Sequence, residues 1–168
     1  MDLLVVRHAI AEEREAFARS GRGDGERPLT SAGRKKFEQG ARGLRAVLPS
    51  IEAVATSPLV RARQTAEILL EAYGLGRAVR LAALDPDADP AALLPFLRRQ
   101  RGKAVVAVVG HEPHLSRLVA YLLARSPRGF TDLKKGGACL IALGADPQAG
   151  KAELRWLSTA SQLRRLGR

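Results

Sequence analysis

The chain has 168 residues, 46% of them hydrophobic, which is enough to build one globular domain with its own core. Its 28 Lys and Arg residues exceed its 17 Asp and Glu residues, giving a formal charge of +11, while aromatic residues make up only 4%. This composition argues against wholesale disorder, and the scarcity of aromatic residues argues against a stacking platform for single-stranded nucleic acid.

The first predicted elements are a strand, a loop and a helix. Leu3–Val6 is a short run of Leu and Val, apolar on both faces, as expected at the centre of a covered sheet. Residues 11–28 are polar and contain several glycines, so they are predicted to form a loop. Thr30 or Ser31 then opens a helix, whose apolar residues recur at helical spacing until Pro49 ends it.

A second strand and helix follow directly. Glu52–Ala55 is predicted to be a short strand. Ser57 is a favourable N-cap residue and Pro58 suits the first helical position, so a helix is predicted from there to Gly74. Val79–Leu84 is predicted to be another strand.

The second half of the chain continues this alternation. Asp89 caps a predicted helix that extends to about Gln100 and that Pro95 interrupts. Residues 103–110 are the clearest buried strand of the chain, and a helix with Pro113 near its start comes next.

Two late segments, Ala138–Leu143 and Glu153–Leu157, alternate or run apolar like strands of a sheet. Alternating strands and helices predict an α/β fold, a three-layer sandwich with a mostly parallel sheet flanked by helices. We expect residues 1–168 to form a single domain. In such sheets, ligands bind beyond the carboxyl ends of the strands.

The sequence also predicts the cellular compartment of the protein. Its apolar runs are too short to span a bilayer, and its N-terminus lacks the basic region and cleavage site of a secretory signal. The single cysteine, Cys139, cannot form an internal disulfide and lies in an apolar stretch. We therefore expect a cytoplasmic protein without a membrane partner.

Two histidines and two arginines stand out by their positions. His8 directly follows the first strand and His111 directly follows the buried strand, so neighbouring parallel strands would bring both to one edge of the sheet. Arg7 precedes His8, and Arg61 lies in the first turn of the second helix. Two guanidinium groups, two imidazoles and a helix N-terminus make a pocket suited to a phosphoryl group, because arginine pairs with its oxygens through two parallel hydrogen bonds.

A neutral imidazole in such a pocket has a further chemical option. It can take the phosphoryl group covalently and then lose it to water. The surrounding cations stabilise the equatorial oxygens during transfer, and they also favour the neutral, attacking form of His8. This arrangement requires no metal ion or other cofactor.

Simpler interpretations of these residues stay open. A histidine at a strand end is often structural, and His111 could cap the helix that follows it. Zinc is disfavoured because His8, His111 and His114 are the only histidines, with no cysteine cluster or H-E-x-x-H spacing. Ser57 is not favoured as a hydrolase nucleophile, because the glycines of a G-x-S-x-G elbow are missing around it. The segment GRGDGE is not favoured as a P-loop, because it lacks the G-K-[ST] ending.

Three segments resemble the motifs of one known family. VVRHAIAE resembles the R-H-G/A signature of the histidine phosphatase superfamily, which contains the cofactor-dependent phosphoglycerate mutases. ATSPLVRARQTAEIL is similar to the S-x-L-x-R-A-x-x-T helix of that family and places Arg61 at its phosphate-binding arginine. VVGHEPHLSRLV resembles its strand-ending G-H motif. The resemblance covers residues 3–119 and implies a phosphoglycerate mutase-like fold.

Finer features resemble the SixA-type phosphohistidine phosphatases, which are compact members of that superfamily. RPLTSAGRK resembles their R-P-L-T-x-x-G element, and the G-H-E-P variant and LKKGGACLIAL also fit that group. This resemblance implies that His8 is the phosphorylated nucleophile. It also implies that the phosphoryl group is held by Arg7, Arg61 and His111. Arg27, from the first loop, is a candidate for contact with the substrate.

One feature departs from the wider superfamily. Members that act on phosphate esters usually carry an acidic residue that protonates the leaving alcohol, and the corresponding segment here reads LAALDPDADP. Asp85 is the best-placed candidate for a general acid, ahead of Asp87, although Asp85 also suits a turn. A P–N bond needs less of this help, because an imidazole leaves far more readily than an alkoxide.

The sequence therefore predicts a phosphatase that works through a phosphohistidine intermediate on His8, most simply on a phosphohistidine-bearing partner protein. The first alternative is a small-molecule phosphomonoesterase of the same superfamily, with Asp85 as the acid. The second is a non-catalytic module that binds phosphate groups or nucleic acid. Nucleic acid is otherwise not favoured as a partner, because the basic residues are spread over several helices.

Overall fold

A six-stranded mixed sheet runs through the middle of the protein, and helices cover both of its faces. The computed structural model describes residues 1–168. The strands are β1 (Asp2–Arg7), β2 (Ala53–Thr56), β3 (Val79–Arg80), β4 (Val105–Gly110), β5 (Ala138–Ala142) and β6 (Glu153–Ser158). The helices are α1 (Arg14–Ala18), α2 (Ser31–Val47), α3 (Val60–Tyr73), α4 (Leu94–Arg99), α5 (His114–Ala124) and α6 (Ala160–Leu166). Not one of these helices combines the length and apolar character needed to cross a membrane.

The strand order is β3-β2-β4-β1-β5-β6, so β1 and β4 are neighbours in the centre of the sheet. They run parallel in a register that aligns Arg7 with Gly110. The strands β3, β2, β4 and β1 are parallel to one another. The strand β5 runs antiparallel to β1, and β6 runs antiparallel to β5. Because β1 and β4 end at the same level, the residues that follow them, His8 and His111, lie at one edge of the sheet.

Each face of the sheet has its own apolar core. Along β1, Leu4 and Val6 face a cluster that contains residues of α2, α3 and α6. Leu3 and Val5 face the opposite cluster, which contains residues of α4 and α5. Successive strand residues point to opposite faces, so a strand covered on both sides is apolar throughout.

The predicted α/β sandwich with a mostly parallel sheet is confirmed. Thr30 is the N-cap of α2, with its hydroxyl accepting a hydrogen bond from the Gly33 N–H at 2.9 Å. Gly74 ends α3 in the left-handed conformation at φ 68°. Pro95 interrupts the third predicted helix as expected, because a 3₁₀ segment at Pro90–Leu93 precedes α4.

Two stretches differ from the prediction. Residues 11–28 are not a plain loop, because they contain α1, anchored by the buried Phe17, and a 3₁₀ turn at Asp24–Glu26. Of the strand predicted at Val79–Leu84, only Val79–Arg80 forms. It is an edge strand that pairs only with the last two residues of the four-residue β2, so it has no partner over a longer span.

Ser57 is also not the N-cap of α3, as its sequence context predicted. The helix begins two residues later than expected, at Val60, and its N-cap residue is Leu59. The Ser57 hydroxyl accepts the Leu59 N–H at 3.2 Å, which still fixes the turn before the helix. Its remaining hydrogen-bonding capacity is directed to the sheet edge, where it contacts residues of the candidate site.

Candidate active site

The backbone of Arg7 and His8 is fixed from both sides. The His8 N–H donates to the Gly110 carbonyl of β4 at 3.0 Å, and the Arg7 N–H donates to the Gly137 carbonyl at 3.1 Å. The Gly136 N–H, at φ 73°, lies 3.2 Å from the Arg7 carbonyl and 3.1 Å from the His8 carbonyl. Gly136 and Gly137 therefore hold the end of β1, and glycine suits position 136 because it adopts a positive φ without strain.

His8 is held in one orientation and one protonation state. Its Nδ1 lies 2.7 Å from the Ala9 carbonyl oxygen, which can only accept, so Nδ1 carries the proton. Burial lowers the pKa of His8 to about 3, with the charges of Arg61, Arg7 and Arg27 adding to the effect against the opposing Ala9 hydrogen bond. At neutral pH the ring is neutral, and its lone pair is on Nε2.

His111 lies beside His8, with 5.0 Å between the ring centroids. Its Nε2 is 2.9 Å from the Ser57 Oγ, while its buried Nδ1 has no protein partner. Burial, followed by the charges of His8 and Arg61, lowers the pKa of His111 to about 2. This imidazole is therefore also neutral at neutral pH.

Ser57 connects His111 to Asp85. The Ser57 Oγ is 2.9 Å from the Asp85 Oδ1, and it also accepts the Leu59 N–H. A hydroxyl has one proton, and an ionised carboxylate can only accept, so Ser57 donates to Asp85. The Nε2 of His111 must then donate to Ser57, which leaves the lone pair of His111 on Nδ1.

The two guanidinium groups are anchored but not saturated. Arg7 donates from Nη1 to the Leu133 carbonyl at 2.6 Å. Arg61 donates to the Asp24 carbonyl at 2.8 Å and forms an ion pair with the Asp24 carboxylate at 3.1 Å. In both arginines the Nε is buried without a protein hydrogen-bond partner. Both arginines line the cleft, so their guanidinium groups face an anion that enters it.

Arg27 and Asp24 complete the cation network. Arg27 is 7% exposed and donates to the Asp24 Oδ1 at 2.9 Å and to the Glu12 carbonyl at 2.7 Å. Burial alone would raise the pKa of Asp24, but the hydrogen bond from Arg27 and the charges of Arg61 and Arg14 lower it. Asp24 therefore stays ionised and holds two arginines in place.

One open cleft of about 240 Å³ is lined by the predicted residues Arg7, His8, Arg27, Arg61 and His111. Asp85 does not line it, although the adjacent Pro86 does. His114, the third histidine weighed for a metal site, is fully buried elsewhere and has no hydrogen-bond partner on either ring nitrogen. The structure thus brings together four of the predicted residues with Arg27, and connects Asp85 to His111 only through Ser57, by two successive hydrogen bonds.

Two positioning residues were missed by sequence reasoning. Glu112 accepts the Leu133 N–H at 3.1 Å and the Ser116 hydroxyl at 2.6 Å, which fixes the loop whose carbonyl holds Arg7. Its place in the G-H-E-P segment was a signal that could have found it. Asp24 had no such signal, because its partner Arg61 is 37 residues away in the chain.

This arrangement suits the capture and transfer of a phosphoryl group. Guanidinium groups are matched in shape and charge to phosphoryl oxygens, and a fixed cation cluster stabilises charge that redistributes during transfer. A neutral imidazole with its lone pair on Nε2 is the form that attacks phosphorus. The cleft therefore has the charge to accommodate a tetrahedral dianion, next to an imidazole whose lone pair is free.

Comparison with known proteins agrees with this geometry. A family model described as the histidine phosphatase superfamily (branch 1) matches residues 3–85. The chain is also 34% identical over 147 residues to an uncharacterized protein of Picosynechococcus, a match that covers 86% of this chain and 87% of that one.

Solved structures share the whole fold. A structure of the protein histidine phosphatase SixA complexed with tungstate superposes with a TM-score of 0.80 at 29% identity, covering 97% of this chain and 99% of that chain. An alpha-ribazole phosphatase from Shigella flexneri superposes with a TM-score of 0.73 at 19% identity, covering 95% and 97%. At that lower identity the likeness concerns the fold alone.

Proposed function

Because the chain belongs to the histidine phosphatase superfamily, we propose that it removes phosphate from phosphohistidine on a partner protein, through a phosphohistidine intermediate on His8. The observation that carries this proposal is the neutral His8, whose Nδ1 is tied to the Ala9 carbonyl and whose Nε2 keeps its lone pair, beside two arginines with unpartnered Nε donors. The similarity to SixA supports the choice of substrate.

The reaction proceeds in two displacements. The Nε2 of His8 forms a bond to phosphorus as the P–N bond of the substrate breaks, and the leaving imidazole takes one proton from solvent. Water then attacks the phosphorylated His8, which releases inorganic phosphate and one proton and restores the free imidazole. Arg7 and Arg61 hold the phosphoryl oxygens in both steps, since both guanidinium groups line the cleft beside His8.

In this mechanism Asp85 is a positioning residue. Its carboxylate accepts a hydrogen bond from the Ser57 hydroxyl, with 2.9 Å between Oγ and Oδ1. Ser57 in turn accepts a hydrogen bond from the Nε2 of His111. These two hydrogen bonds fix the tautomer of His111. The arrangement favours P–N hydrolysis over ester hydrolysis, because Asp85 does not line the cleft from which a leaving alcohol would need its proton.

The form of the cleft supports a protein substrate. Arg14, at its rim, has a side chain that is 74% exposed, and none of the residues lining the cleft is hydrophobic. A histidine side chain projecting from another protein would reach His8 without displacing an apolar cover.

The buried free thiol of Cys139 is consistent with the reducing cytoplasm that we propose as the compartment.

A trapped-intermediate experiment tests the nucleophile. Wild-type protein mixed with a histidine-phosphorylated phosphocarrier protein and quenched in alkali should carry acid-labile phosphate within residues 1–12, and His8→Ala should carry none. Thermal unfolding of both proteins checks that the variant is folded. Equal labelling of the two would remove His8 from the mechanism.

A substrate comparison tests the alternative function. The wild-type protein should hydrolyse the phosphocarrier protein and free phosphohistidine at least tenfold more efficiently in kcat/KM than p-nitrophenyl phosphate. Efficient hydrolysis of the ester with no action on phosphohistidine would establish the small-molecule phosphomonoesterase instead. Binding of phosphoprotein without turnover of any substrate would establish a binding module.

A further inference from the structure

A second basic site lies beside the catalytic cleft. It is a shallow groove, with a volume of only about 10 Å³, between α2, the Gly136 turn and the start of α6. Three cationic side chains line it, Lys36 from α2, Lys135 from the turn and Arg164 from α6, and we call these three residues with the groove they line the basic groove. Neither the motifs nor the proposed mechanism uses it.

The cations of the basic groove differ from those of the catalytic cleft in having no partners. Neither Lys36, Lys135 nor Arg164 has a carboxylate within 4.0 Å, and their side chains donate no hydrogen bond within the protein. Three like charges around one small groove repel one another and are stabilised by an anion placed between them. The groove therefore has the electrostatics of an anion-binding surface.

The basic groove is continuous with the catalytic cleft. Lys135 lines both, and the groove is also lined by Ala9 and Ile10, which directly follow the nucleophile His8. Consecutive Cα atoms are about 3.8 Å apart, so the groove begins within about 8 Å of His8. An extended peptide advances about 3.3–3.6 Å per residue, so a side chain two to four residues from the phosphohistidine would reach the basic groove.

The size and lining of the groove indicate what kind of group it takes. A volume of about 10 Å³ is far below the roughly 300–1,000 Å³ of sites that enclose a small molecule, so the groove takes charged groups that contact its rim, such as carboxylate side chains, and encloses no ligand. Nucleic acid is less suited, since the one aromatic ring in the lining, Phe37, is only 3% exposed and offers no face for stacking.

We propose that the basic groove binds Asp or Glu side chains that flank the phosphohistidine of the partner protein. This inference rests on the proposed function and names a recognition element of its substrate. The carboxylates pair with Lys36, Lys135 and Arg164 and bring the phosphorylated side chain into register with His8. Recognition and catalysis then use adjoining surfaces, and Lys135 is the one cation that lines both.

The chain offers a matched pair of variants for the test. Lys36→Gln/Arg164→Gln removes two charges from the basic groove and leaves Lys135, which also lines the catalytic cleft. Lys35→Gln/Arg165→Gln removes two charges from the neighbouring positions of the same helices, which do not line the groove. Both double variants change the net charge of the protein by the same amount.

The groove variant should lower kcat/KM for the histidine-phosphorylated phosphocarrier protein about tenfold, mostly through KM, and weaken its dependence on salt. The control variant should change kcat/KM less than twofold, and neither should alter turnover of free phosphohistidine. Equal losses in the two variants would assign the effect to the overall charge and overturn the proposal. So would a loss on free phosphohistidine as large as on the protein.

Binding of a short peptide of glutamates, followed by amide chemical shifts, separates this inference from the proposed function. Wild-type shifts should move at Ile10 and Gly40 and stay constant in the groove variant, whether or not the protein hydrolyses phosphohistidine. Lack of binding by the wild type would overturn the groove as an acidic site. Stronger binding of duplex DNA than of the peptide at the same residues would assign it to nucleic acid instead.

Discussion

The catalytic cleft and the basic groove are two cationic regions that share an edge but are built differently. In the cleft, Arg27 and Arg61 converge on the Asp24 carboxylate, and Arg7 is tied to the Leu133 carbonyl. In the groove, Lys36 and Lys135 are exposed and lack any protein partner. Anchored cations hold the geometry that a transition state needs, whereas free cations adapt to a partner at the cost of ordering their side chains.

Replacing an anchored arginine of the catalytic cleft should have the largest effect on activity. Arg61→Lys keeps the charge but removes the planar donor group, so kcat/KM should fall about 10²- to 10³-fold. Arg63→Lys, two residues along α3 and outside the cleft, should lower it less than threefold. Steady-state kinetics on the phosphocarrier protein would decide this, and similar losses in both variants would contradict the proposed role of Arg61.

Replacing Asp85 tests whether residues behind the lining of the catalytic cleft affect activity. Asp85→Asn removes the charge behind Ser57 and should lower kcat roughly 10- to 100-fold for phosphohistidine and for an ester alike. Asp87→Asn, an exposed residue in the same loop, should have little effect. Ring-nitrogen NMR of His111 should show the proton on Nε2 in the wild type and a changed tautomer in Asp85→Asn. Loss confined to ester hydrolysis would make Asp85 a general acid instead.

The floor of the basic groove carries a packing constraint that can be measured as stability. A Cβ at Gly33 would lie 2.1 Å from the Ile10 carbonyl oxygen, so Gly33→Ala should lower the free energy of unfolding by about 1–3 kcal/mol. A Cβ at Gly25 meets nothing within 4 Å, so Gly25→Ala should stay within about 0.5 kcal/mol of the wild type. Urea unfolding checks both, and a stable Gly33→Ala would show that α2 shifts freely.

The protonation states of the three histidines can be tested by titration. The pKa values of His8, His111 and His114 are lowered to about 3, 2 and 4, each chiefly by burial. Ring-carbon NMR should therefore show no histidine titration between pH 8 and pH 5, where urea-unfolded protein titrates near pH 6.5.

The same shifts set the sign of the pH dependence of stability. Below about pH 6.5 the unfolded chain binds protons that the folded histidines do not, so the free energy of unfolding decreases as the pH falls. Each of the three histidines contributes up to about 1.4 kcal/mol per pH unit between the unfolded and folded pKa values. Constant stability between pH 7 and pH 5 would contradict the burial of these neutral rings.

Much of the fold could be predicted because local chemistry decided it. The apolar runs of β1 and β4 are buried on both faces, Thr30 caps α2, and Gly74 takes the left-handed conformation that ends α3. The positions of His8 and His111 followed from the parallel pairing of these two strands. Such features depend on residues that are close in sequence or on the general topology of parallel sheets.

The remaining features depend on contacts that no local pattern records. Ser57 had the sequence context of an N-cap, but its hydroxyl is bound to Asp85 and His111, and the helix begins later. Residues 11–28 had the composition of a loop, but Asp24 pairs with Arg61 in the cleft. The basic groove joins residues of two helices and a turn, positions 36, 135 and 164, which only the folded chain brings together.

The link between Gly136 and the carbonyls of Arg7 and His8 has a consequence for the order in which the protein becomes active during synthesis. When the first 120 residues have left the ribosome, both histidines and all four arginines of the cleft are already outside, but β1 still has one open edge. We expect such a nascent chain to remain without phosphatase activity until residue 137 has left the exit tunnel. Stalled chains of increasing length, assayed for acid-labile phosphate, would place that onset.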